Sequence, residues 1–289
     1  MRTRLILTIA LAAFVVDGAV SYAGLDYRTR DSASGDWNTE IWQREQTPGQ
    51  GDWQNVADSP DATDDTALIR SGATVNVVGT DGEAVVGTLT VAAASDAVLN
   101  MLHAGVLEIE DSLSIGANGI FRFYADDDET APILRATDSL EIAGAITIQD
   151  PEDADGGAGG QIVAETVNDW VILSGTITAQ HGLLDITSDI EVDGTILANA
   201  SATARRISFT GEIRGGSTGL IEASGNSNAR VHFDTGSAFN NAIDLKVDDG
   251  ARMRFSDTND YSAGGFSVAS GFFDFDSGVS GTFTEDYSH

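Results

Sequence analysis

Asp150, Asp153 and Asp155 stand just before Gly156, and three carboxylates on one short glycine-rich stretch form an oxygen-donor set of the kind calcium takes. The spacing lacks the closing glutamate of an EF-hand loop, so calcium here would sit on an irregular loop. A second run, Asp126, Asp127 and Asp128, suits a solvated loop better, because side chains on consecutive residues diverge. Trp37, Trp42 and Trp53 offer different chemistry: their rings suit either stacking against sugars or closing an apolar core. The four histidines, His103, His181, His232 and His289, lie far apart and cysteine is absent, so no zinc or iron spacing exists. No cofactor other than calcium is implied.

The densest basic positions are Arg205 with Arg206 and Arg252 with Arg254. Together with glutamates such as Glu141, Glu191 and Glu212, they are residues that a polysaccharide-cleaving surface would use as acids, bases or clamps. The same charges equally serve solubility on a β-rich surface. Gly156 to Gly160 is followed by no helical pattern, which excludes a phosphate loop, a dinucleotide fingerprint and a nucleophile elbow and leaves a loop.

Any such site must be positioned by strands. From about residue 85 to 275 a turn residue is followed by apolar, any, apolar, as in Gly105-Val106-Leu107-Glu108-Ile109, Gly144-Ala145-Ile146-Thr147-Ile148 and Gly271-Phe272-Phe273-Asp274-Phe275. Period-two alternation buries one face of each strand, and glycine corners let the chain turn sharply and stack on itself. Successive glycines at 175, 194 and 211 are 19 and 17 residues apart, and those at 119, 144 and 175 are 25 and 31 apart. A loose rung of ~20 residues and ~4.8 Å per rung predict roughly nine to eleven rungs. The expected fold is all-β, a single-domain parallel β-helix (β-solenoid) with an aromatic N-terminal cap; a β-sandwich or jelly roll is the alternative. The cap is expected over 24–66 and the repeats over 67–289, with acidic loops near 125–132 and 149–160.

Arg2 and Arg4, an apolar run from Leu5 to Val16 and small residues at Ser21 and Ala23 read as a secretory signal peptide over 1–23. The run is too short for the ~20 residues of a bilayer-spanning helix. A secreted, cell-surface or periplasmic address is expected, with no membrane insertion of the mature chain. The formal net charge of −30 repels phosphate backbones, so nucleic acid is excluded as a partner. Without cysteine, backbone pairing and apolar packing must hold the fold together.

The stretch Gly35-Asp36-Trp37, Trp42, Pro48, Trp53, Asp65-Thr66-Ala67-Leu68-Ile69 and Gly72-Ala73-Thr74-Val75-Asn76-Val77 resembles the opening of bacterial autotransporter-type passenger solenoids, and is similar to the start of G8-type surface domains. The resemblance covers roughly 34–148 and implies a β-solenoid. No translocator-like series of membrane strands follows it. The expected function is therefore a structural or adhesion-type surface or matrix protein presenting loops from a rigid rod. A polysaccharide-binding or polysaccharide-cleaving β-helix is the alternative, with extracellular polysaccharide or cell-surface components as partners. Acidic and arginine side chains converging in a groove beside an aromatic would favour the alternative; charges scattered evenly along the faces would favour the rod.

Overall fold

The computed structural model describes residues 24–283, apart from 95, 125–129, 138–139, 150–157, 165–169, 180–181, 201–204, 216–217, 235–237, 241–242, 257–259, 264, 269 and 277–279. It is a parallel β-solenoid. One sheet has 10 strands stacked in chain order, from Ser34–Asp36 to Gly265–Val268. An 18-stranded sheet bends across the other two sides. Glu83–Val91 and Val106–Ile115 each run as one strand around that bend, their shared register slipping between Val86 and Thr88. Each full coil thus presents three faces. The first includes Ile133–Ala136, Gly182–Thr187 and Ala229–Phe233, the second Leu140–Ala143 and Asp189–Val192, and the third the ten-stranded sheet.

Alternation explains why the coils stack. On the third face Val75, Leu99, Phe121, Ile146, Ile177, Ile196, Ile221 and Leu245 are register partners from rung to rung and all point inward. The first face runs its inner column through Ile186, Phe209, Phe233 and Phe255 to Phe275 at its exposed end. Burying such side chains stabilises by about 1.5–3 kcal/mol each, and no single rung could bury them alone.

Two expectations need correction. Residues 158–164 form a strand although Gly159 and Gly160 were expected in a loop. A Cβ on Gly160 would lie 2.5 Å from the Phe123 ring, so glycine here lets the strand close onto an aromatic core residue. The loose rung length also has a structural cause. Gly175 and Gly194 occupy equivalent corners, but the equivalent of Gly194 in the next coil is Gly219, since Thr195 and Leu220 are register partners; Gly211 opens a strand of another face.

The first coil already starts at Asp26–Thr29 and Ser34–Asp36, which pair in parallel with Thr66–Ile69 and Thr74–Val77. The segment between those two coils folds over the N-terminal end. Trp42–Glu45 adds antiparallel to Asp26–Thr29, and Trp53–Asn55 adds antiparallel to it in turn, so the edge of the parallel sheet is covered.

Candidate functional site

Trp37 and Trp42 are 1% and 0% exposed, edge to face with ring centroids 5.0 Å apart. Each indole N–H donates to a backbone carbonyl, Trp37 to Pro60 at 3.0 Å and Trp42 to Trp37 at 2.7 Å. Their faces are covered, so neither can stack on a sugar, and that expectation is corrected for both: a buried ring with a satisfied N–H closes the core. Trp53 keeps its ring partly in solvent, with the Arg28 guanidinium 4.2 Å from its centroid, beside a shallow groove that includes Thr66, Leu68, Thr88 and Thr90. Trp170 lies on the rung surface under Arg214, at 3.7 Å.

Asp150, Asp153, Asp155 and the run from Asp126 to Asp128 lie outside the described residues. Among the described residues no group of three or more His, Cys, Asp or Glu is placed to hold a metal ion.

Charged residues converge on the outer side of the first face, over its last five rungs. Register places Arg206, Arg230, Arg252 and Phe272 in one column, and Asp185, Ser208, His232 and Arg254 in the next. Period two explains the exposure: Ile207, Val231 and Met253 point inward between them. Two adjoining hollows of about 310 and 320 Å³ run along this surface, the first lined by Gln161, Arg206, Ser208 and Asp234, the second by Arg230, His232, Arg252 and Asp274. Like charges on directly opposed sheet positions are destabilising, and aspartates offset most of this. Arg206 meets Asp185 at 3.6 Å and Arg252 meets Asp274 at 3.4 Å. Arg254 forks onto Asp276 through Nε at 3.2 Å and Nη2 at 3.0 Å. At the end of the column Phe272 is 54% exposed, with the Arg252 guanidinium 5.1 Å from its ring centroid.

Comparison of the chain with family models, with curated proteins and with solved structures finds no match. The surface itself therefore carries the functional argument. Arg206, Arg252 and Arg254 were legible as dense basic positions, but Arg230, His232, Ser208 and Phe272 were not singled out. The available signal was the alternation, which puts Arg230 and His232 on the outer side once Val231 and Phe233 are taken as core. By contrast, Glu141, Glu191 and Glu212 face outward on the second face, where Glu191 accepts from Arg214 Nε at 2.7 Å.

Burial holds His232 below its ordinary value of 6.5, and the nearby Arg206, Arg254 and Arg230 push it the same way while Asp234 opposes them. A base whose pKa is lowered by folding is protonated first in the unfolded chain, so its contribution to stability is present above 6.5 and is lost as pH falls toward the folded value. His232→Gln is expected to flatten the stability profile below pH 6.5, measured as denaturant midpoint against pH. An unchanged slope would show that His232 titrates freely.

Proposed function

We propose that this chain is an exported, surface- or matrix-associated solenoid that binds an extended polysaccharide along its arginine-bearing face. The observation that carries the reading is the convergence of Arg206, Arg230, Arg252 and Arg254 with Asp185, Asp234, Asp274 and Asp276 along two successive hollows of one face, whose arginine column continues in register to the exposed Phe272 ring. Guanidinium donors alternating with carboxylate acceptors match sugar hydroxyls, which both donate and accept, and an aromatic face suits the apolar side of a pyranose. The rungs repeat at ~4.8 Å, so a linear polymer lying along the axis meets an arginine on three successive coils, Arg206, Arg230 and Arg252, before it reaches Phe272. Export is supported by the signal-like first 23 residues. A second reading, a loop-presenting structural rod, draws support from the unbroken stack of 10 strands behind a covered N-terminal edge.

Purified mature chain is expected to be retained by at least one member of an array of extracellular polysaccharides, probed with and without calcium. The double variant Arg206→Ala/Arg252→Ala should bind at least tenfold more weakly, since losing one charged hydrogen bond costs about 1.5–3 kcal/mol and 1.4 kcal/mol is tenfold. Retention by no polysaccharide, or equal retention of the double variant, would overturn the reading in favour of the rod or of the Trp53 groove.

A further inference from the structure

We infer that the groove on the first face selects a polysaccharide bearing singly charged carboxylates, a polyuronate, with Arg230 as the residue that receives the carboxylate. The inference rests on the polysaccharide reading and narrows it. Arg206, Arg230 and Arg252 are register partners on three successive rungs, an in-line stack of like charges. Among the described residues Arg206, Arg252 and Arg254 each face an aspartate, whereas the exposed Arg230 at the centre of the stack faces none. A guanidinium flanked above and below by others, and left without a carboxylate, is a place where an incoming anion removes repulsion and completes two parallel N–H···O bonds.

A second observation, on the neighbouring rung and in the first hollow, is independent of charge. Ser208 is only 5% exposed, lines the first hollow and finds no hydrogen-bond partner for its Oγ. The Arg206 Nε is likewise buried and unpartnered. Buried polar atoms without partners are uncommon, because each gives up its bonds to water and gains none in return. Both belong to the rung directly before Arg230, so a ligand that extends from Arg230 along the axis passes over polar atoms that the protein itself leaves unsatisfied.

The surroundings set the charge of the ligand. Asp185, Asp234, Asp274 and Asp276 line the same surface, so a doubly charged phosphate would meet more repulsion than a single carboxylate. The net charge of −30 does not forbid the contact, because at physiological salt screening over about 8 Å confines what the ligand senses to the groove.

The test sets polyuronates of several linkages beside their carboxyl-reduced twins, in which each carboxylate has become a hydroxymethyl group, and adds a sulfated polysaccharide. Wild-type mature chain is expected to bind at least one polyuronate tenfold or more above its reduced twin. Arg230→Ala should abolish that preference without moving the thermal midpoint, since the side chain is exposed, and Arg230→Lys should restore only part of it. Equal binding of the reduced twins, or preference for sulfate, would overturn the carboxylate inference and leave the polysaccharide reading standing. Binding of neither form would overturn both.

Discussion

Gly194→Ala is expected to lower stability by roughly 3–5 kcal/mol, because a Cβ added there would lie 1.9 Å from the carbonyl oxygen of Gly175. That oxygen accepts from Thr195 N–H at 3.0 Å, and in the preceding coil the Gly144 oxygen accepts from Thr176 N–H at 2.7 Å. The corners of successive coils are stacked backbone on backbone. No flexible side chain is available to yield, so the two coils must separate and give up the hydrogen bond as well. In a chain of this size each kcal/mol moves the thermal midpoint by about 2–4 °C, so a fall on the order of 10 °C is expected. Gly82→Ala is the control. Gly82 has φ of 90° with nothing within 4 Å of an added Cβ, so only backbone strain of about 1–2 kcal/mol applies there. If both variants melt at the same temperature, close approach at the corner is not what demands glycine at 194.

Phe233→Ala is expected to cost about 3–5 kcal/mol and to split the unfolding transition. Phe233 is fully buried between Phe209 at 5.4 Å and Phe255 at 4.9 Å, and Phe255 stacks on Phe275 at 4.8 Å with rings 10° from parallel. This file of rings is one of the inner columns that couple the last coils to the rest, beside Ile221 with Leu245 and Val231 with Met253. In a solenoid each rung touches only its neighbours, so weakening one interface lets the coils beyond it open separately. Hydrogen exchange should show lost protection in Arg252–Phe255 and Phe272–Phe275 while Val98–Leu102 and Ile120–Tyr124 keep theirs. Phe233→Leu should recover most of the loss. The pair Phe233→Ala with Phe255→Ala should cost less than the sum of the singles, because the rings share one interface. Uniform deprotection along the whole chain would sink the nearest-neighbour picture.

The groove proposed for polysaccharide depends on the same file. Phe209, Phe233 and Phe255 are the inward neighbours of Ser208, His232 and Arg254 along their strands. The rings that hold three rungs in register therefore also hold the outer charges in line. Loss of Phe233 is expected to weaken binding even though no ligand touches it.

Alternation of apolar residues is decided within four or five positions, so the strands, their inner faces and the all-β class were readable from sequence alone. Tryptophans 37 and 42, large apolar rings ahead of the first repeat, also pointed to closure of an open end, and both rings are buried there. What sequence could not set was the register between coils. Partner residues on the third face are separated by 25, 31, 19 and 25 positions, from Phe121 to Ile146, Ile177, Ile196 and Ile221. Loops absorb these differences at little energetic cost, and a loop's length leaves no trace in the period of the strands it joins. Whether Arg206, Arg230 and Arg252 fall in one column or on three different faces therefore depends on how many residues each loop consumes. Only the stacked structure answers that. The same reason explains why Gly160, read locally as part of a glycine-rich loop, belongs to a strand: its fitness there is set by the Phe123 ring of the coil before it, which no local pattern reveals.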